Sequence, residues 1–159
     1  MARTLLRLVV ALALVGAVAG VVQPAQAAVS KDYARQTWDN SKCKAFPFEQ
    51  GLVTGDITGD GRSDAVMLWA CSPGAGGAYP RVLSYWIDGR PIRQKSLTTP
   101  LPQARDVRIK DGKVIVRGGD YSGVGVPLCC ADVRVTLTYE WNGRKLVLVD
   151  EKRRPLPGG

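Results

Sequence analysis

The sequence predicts a mainly β protein: an antiparallel meander of about eight strands, arranged as a sandwich or half-barrel, with one short N-terminal helix. Three observations predict it. Beyond the N-terminal segment, apolar and polar residues alternate with a period of two. Asp111-Gly112 and Asn142-Gly143 fall between such alternating runs and favour two-residue hairpin turns. One run, DAVMLWACS (64–72), is apolar without alternation, as in a central strand buried on both faces.

The elements follow in order. Residues 1–27 read as a signal peptide: Arg3 and Arg7, an uncharged run of 15 residues from Leu8 to Val22, then Pro24 and the small-x-small site Ala25-Gln26-Ala27. The run is shorter than the roughly 20 residues that span a bilayer, so no membrane span is expected. The protein is therefore expected to be secreted and extracellular. Ser30 is a good N-cap before KDYARQTWDNSK, and Tyr33, Ala34, Thr37, Trp38 and Ser41 recur at helical spacing. A helix over 31–41 is expected, with Tyr33 and Trp38 covering the sheet.

RVLSYWI, DG and RPIRQKSL read as a hairpin whose second strand opens on Pro91, suiting a sheet edge. DVRIK, DG and KVIVRG form a second, with Val107 and Ile109 alternating with Arg108 and Lys110. DVRVTLTYEW, NG and RKLVLVDEK form a third. In it Val133, Val135, Leu137, Tyr139 and Trp141 share one face, and Arg134, Thr136, Thr138 and Glu140 the other. Loops at 72–80, 98–104 and 119–131 are rich in Gly or Pro. Residues 28–152 are expected to form one disulfide-stapled β domain, and 153–159 a flexible tail.

Charge and cysteine usage bound the chemistry. The chain has 159 residues, 22 Lys+Arg, 14 Asp+Glu and no His, a formal net charge of +8. Loss of Arg3 and Arg7 with the signal peptide lowers this by two, to +6. Without His there is no Ser-His-Asp or Cys-His centre and no His-ligated metal. Cys43, Cys71, Cys129 and Cys130 are an even count in an exported chain, which reads as two disulfides. Three pairings are open. A bridge between adjacent cysteines needs strained geometry, so Cys129 and Cys130 are each expected to join one of Cys43 and Cys71.

The sharpest local motif is GDITGDGRSD (55–64). Asp56, Thr58, Asp60 and Asp64 offer side-chain oxygens, Arg62 a carbonyl, and Gly61 a sharp turn. Six to eight oxygens suit Ca²⁺, and a weak site in an exported protein still fills. The loop resembles the D-x-[DN]-x-D-G-x-x-D calcium loops of FG-GAP repeats. It departs from them with Thr58 at the third position, and from an EF-hand with Met67 where a Glu ligand would stand. The competing reading is that Asp56 and Asp60 only cap backbone N–H groups of a tight turn.

The order of features over about residues 50–150 resembles small exported actinobacterial proteins of the LppP/LprE-type lipoprotein family. The resemblance rests on the Asp/Gly loop, the VRIKDGKVIVRG hairpin, and Tyr121, Cys129-Cys130 and the strand ending Tyr139-x-Trp141-x-Gly143. It implies export and a β fold. It carries no activity residue by residue. Lacking a cysteine at the cleavage site, this chain would be released rather than lipid-anchored.

The sequence reads first as a non-enzymatic binding or structural domain. Arg105, Arg108, Lys110, Lys113 and Arg117 on one hairpin could form a basic face for an anionic cell-surface polymer, or be an ordinary solvated face. No nucleic-acid motif accompanies them. One alternative is a glycan hydrolase using Asp120, Asp132 and Glu140 with Trp69, Trp86 and Tyr85 as platforms. Another is an inhibitor presenting the loop Val124–Leu128.

Overall fold

The computed structural model describes residues 28–41, 43, 46–72, 81–88, 94–121 and 130–156. Residues 1–27, expected to be a signal peptide, Pro91, Cys129 and the loop Val124–Leu128 lie outside the described residues. The elements are α1 (Lys31–Gln36), β1 (Phe46–Gly55), β2 (Asp64–Ser72), β3 (Arg81–Trp86), β4 (Gln94–Thr99), β5 (Gln103–Lys110), β6 (Lys113–Asp120), β7 (Val133–Trp141) and β8 (Leu146–Pro155). Every pairing is antiparallel, and the strands form two four-stranded sheets, β1-β2-β3-β4 and β5-β6-β7-β8. Each sheet is a meander in chain order, and residues 100–102 carry the chain from the first to the second.

Strand β2 explains the layering. It lies between β1 and β3, and residues 64–70 are all buried. Val66 and Leu68 join Leu83, Tyr85, Val107, Val114, Val116, Val135, Leu137 and Tyr139 in a core between the two sheets. Ala65, Met67 and Trp69 point the other way and pack with Val29, Ala34, Leu52 and Trp86 beneath the N-terminal segment. The order of layers is therefore helix, first sheet, second sheet. The edges β1 and β5 approach closely where β1 has glycine. A Cβ on Gly51 would stand 3.2 Å from Val107 Cγ1, and one on Gly55 3.0 Å from Ile109 Cγ2.

The β5–β6 turn is the expected two-residue one, with positive φ at Asp111 and Gly112. The β7–β8 turn also falls at Asn142-Gly143 but spans residues 142–145, since Trp141 pairs with Leu146, and there Gly143 but not Asn142 has positive φ. Between the sheets, the Leu146 backbone N–H donates to the buried Tyr85 hydroxyl at 3.4 Å. Gly118 is demanded by close approach. The β5–β6 register shifts between Ala104 and Asp106, and a Cβ on Gly118 would lie 2.1 Å from the Gln103 carbonyl oxygen.

Four expectations are corrected. The helix ends at Gln36, not residue 41, because polar side chains bind the backbone locally: the Thr37 hydroxyl donates to the Tyr33 carbonyl and the Ser41 N–H to Asp39. Tyr33 is exposed, and Ala34 takes its place against the sheet, while Trp38 covers the sheet as expected, edge-on to Trp69 at 5.4 Å. Cys43 pairs with Cys71, not with the late cysteines. The reason is register: Pro47 lies opposite Cys71, which brings the chain just before β1 to the end of β2. Cys130 is also disulfide-bonded, to a partner outside the described residues. Finally, β8 runs on to Pro155, pairing with Val133, so much of the expected tail is strand. The Cys43–Cys71 bridge closes a 28-residue separation and contributes about 3–4 kcal/mol in the chain-entropy account.

Arg35 ties the helix to β1 through two hydrogen bonds to Glu49, both 3.0 Å. This pairing holds the Glu49 carboxyl below its ordinary value of 4.5. A depressed carboxylate pKa gives stability that is present above the unfolded value and lost as pH falls through the folded one. The melting temperature of the wild type is expected to fall more steeply below about pH 4.5 than that of Glu49→Gln, measured by circular dichroism across a pH series. Gly118→Ala is expected to cost about 3 kcal/mol or more through its backbone clash, read from urea unfolding.

Candidate functional site

The Asp/Gly loop between β1 and β2 is built around its own backbone. Asp64, fully buried, accepts from the N–H groups of Ile57 (2.9 Å) and Thr58 (3.3 Å) with one oxygen and from that of Asp88 (2.7 Å) with the other. It thereby joins the loop to the end of β3. Burial pushes the Asp64 carboxyl up from its ordinary value, against the backbone donors, which favour the charged form. Asp56 accepts from the N–H of Gly59 (2.6 Å) and Gly61 (2.8 Å). Asp60 accepts from the Arg62 backbone at 3.0 Å and its guanidinium at 2.6 Å, which holds its carboxyl low. Arg62 also reaches Asp88 at 3.4 Å.

The structure thus gathers Asp56, Thr58, Asp60, Arg62 and Asp64 into one loop but turns each carboxylate onto backbone donors of the turn. Among the described residues no group of three His, Cys, Asp or Glu side chains is placed to hold a metal ion.

The outer face of the second sheet is different. Both faces of the first sheet and the inner face of the second pack against something, but none of the described elements packs over the outer face of the second sheet. Its register can be read as rows across the strands: Lys110 and Lys113; Arg108, Ile115, Thr138 and Asp150; Asp106, Arg117, Thr136 and Lys152; Gly119, Arg134 and Arg154. Twist makes the face concave, a cleft of about 1110 Å³. Six cationic side chains line it, Arg105, Arg108, Arg117, Arg134, Lys152 and Arg154, against one carboxylate, Asp106.

The charges are paired unevenly. Arg108 meets Asp106 at 2.9 Å, Lys152 meets Asp150 at 3.3 Å, and Lys113 meets Glu140 at 2.6 Å. Arg105, at the β5 irregularity, donates to Gln103 at 3.0 Å, and Gln103 in turn donates to the Tyr121 hydroxyl. Arg117, Arg134 and Arg154 make no ion pair among the described residues. Arg108, Lys110, Lys113 and Arg117 were visible in the alternation of one hairpin. Joining Arg134, Lys152 and Arg154 to them needs the β6–β7–β8 register; the signal is the place of Arg134 on the polar face of its strand and the spacing of two between Lys152 and Arg154.

The residues of the hydrolase alternative are dispersed. Trp69 and Trp86 are buried on the helix side of the first sheet, and Tyr85 in the core between the sheets. Glu140 pairs with Lys113, and Asp120 pairs with Arg153 at 2.5 Å near the inner edge. The Asp132 N–H donates to the Asp120 carbonyl. Among the described residues no helix is long and apolar enough to cross a membrane. Comparison with family models, curated proteins and solved structures finds no match to this chain.

Asp64→Ala strands buried N–H groups and is expected to cost about 3 kcal/mol. Asp60→Ala, at an exposed pair, is expected to cost under about 1 kcal/mol. Denaturant unfolding with and without millimolar Ca²⁺ checks both. A cation site would instead show a Ca²⁺-dependent rise in melting temperature that Asp60→Ala removes.

Proposed function

We propose that this protein is an exported, non-enzymatic binding domain that holds an anionic polymer against the outer face of its second sheet. One observation carries the reading: a concave cleft whose lining holds six cations against one carboxylate, three of the arginines without an ion-pair partner among the described residues. A wall of one sign focuses its field and raises the local concentration of a ligand of the other sign. Arginine suits the task, because its fork of donors matches carboxylate and phosphate oxygens. The leader-like N-terminus, the likeness to exported actinobacterial lipoproteins and the disulfide support a cell-surface setting, where anionic polymers are abundant.

The order of side chains along the strands also favours an extended ligand. Thr136 stands between Arg117 of β6 and Lys152 of β8, and with Thr138 in the next row offers hydroxyl donors along the floor. A polymer lying across the rows would meet guanidinium, hydroxyl and ammonium groups in succession.

Retention of the protein on immobilised poly-L-glutamate tests the reading. Retention is expected at low salt and is expected to weaken steeply as NaCl rises. Arg117→Glu is expected to abolish it, whereas Lys31→Glu, the same charge change on the helix, leaves it intact. Equal loss in both variants would show a response to net charge alone and would sink the proposed face.

A further inference from the structure

The positive charge of this face is concentrated around one short side chain. Thr136 has Arg117 and Lys152 as its register partners on the two neighbouring strands, Arg134 two residues before it on its own strand, and Arg154 opposite Arg134. Side chains in such positions on one face have Cβ atoms about 5 Å apart directly across and about 7–8 Å apart on the diagonal. Four long cationic side chains therefore flank, on three sides, a side chain that ends at its γ atoms, and Thr136 floors the cleft between them.

The cluster is electrostatically unfavourable as it stands. Like charges directly opposite on antiparallel strands repel, and Arg134 faces Arg154. Toward the β5–β6 turn the face resolves the same problem with carboxylates, Arg108 meeting Asp106 and Lys113 meeting Glu140. Beside Thr136 two carboxylates stand at the margin: Asp106, opposite Arg117 but turned to Arg108 at 2.9 Å, and Asp150 on Lys152 at 3.3 Å, both in exposed pairs that a ligand can replace at little cost.

We propose that Thr136, Arg117, Arg134, Lys152 and Arg154 form a discrete subsite for one tetrahedral oxyanion with three terminal oxygens, the monoester phosphate or sulfate group of a polymer. The proposal rests on the reading of this face as a polyanion site. The argument for the ligand class is one of geometry. A guanidinium fork engages two oxygens in one plane. Three guanidinium groups arrive from three different register positions, and a hydroxyl comes from below. A planar carboxylate has two oxygens in one plane, and a diester has two terminal oxygens. A monoester presents three oxygens in different directions and accepts from all of these donors at once. Threonine completes the set because it donates a hydrogen bond without adding a charge.

The test uses methyl phosphate, methyl sulfate, dimethyl phosphate and acetate as probes, with binding followed by NMR shifts of the Thr136 amide and the arginine side-chain N–H groups. Saturable binding of methyl phosphate or methyl sulfate at least tenfold tighter than acetate and dimethyl phosphate supports the subsite, and the tighter of the two esters identifies the ligand. Thr136→Val, which keeps the shape and removes the hydroxyl, is expected to weaken the preferred ester at least fivefold, and Arg134→Gln gives an independent variant with the same expected direction. Four probes of equal affinity, or an unchanged ester affinity in both variants, overturn the subsite while retention on poly-L-glutamate leaves the wider reading standing. Ester selectivity without retention on poly-L-glutamate supports the subsite and sinks the reading of an extended polymer face. Absence of both sinks both.

Discussion

Strand β2 has to be covered on both faces, and the rest of the architecture answers to that constraint. Its run from Asp64 to Ala70 exposes nothing to solvent. One face finds the second sheet, through Val66 and Leu68. The other finds the N-terminal segment, through Ala65, Met67 and Trp69. A helix of six residues is too short to be stable on its own. It is held by burial of Ala34, by the Arg35–Glu49 pair and by the Cys43–Cys71 bridge beside Trp69. The Trp69 indole N–H finds the Ser84 hydroxyl at 2.9 Å, and Gln94 links Ser84 to the backbone of Asp39. The polar atoms under the helix are thus tied to the chain that follows it.

The same constraint decides which surface is free. With both faces of the first sheet used, the second sheet has one covered face and one open one. On the open face the alternation within β5 to β8 places polar residues, and the register decides which of them meet. The cleft is therefore a consequence of layering and twist rather than of any specialised loop among the described residues.

Much of the fold was legible in the sequence, and the unread parts share a cause. The hairpins β5–β6 and β7–β8 could be read because alternation and the Asp-Gly and Asn-Gly turns are local signals. The central place of β2 could be read because seven consecutive buried residues leave no polar face. The end of the helix was missed because Trp38 and Ser41 keep helical spacing while Thr37 and Asp39 divert the backbone. The Cys43–Cys71 pairing was missed because it depends on Pro47 lying opposite Cys71, a long-range fact. The basic face was half visible for the same reason: Arg108 and Arg117 share a hairpin, while Arg154 meets Arg134 only once β8 is paired to its end.

The Asp loop and the basic face are linked through the distribution of acids. A formal charge of +8 over 159 residues would be a weak argument for an anionic ligand if the charges were evenly mixed. They are not. Asp56 and Asp64 are spent on backbone N–H groups of the turns, Asp60 on Arg62, Glu49 on Arg35, and Asp120 and Glu151 on Arg153. Each of these carboxylates does structural work away from the open face of the second sheet. The cations that remain there, Arg117, Arg134 and Arg154 above all, are in excess because the acids that could neutralise them are committed elsewhere. A modest net charge becomes a strong local one by this division, and the fold leaves it on the one sheet face that the described elements do not cover.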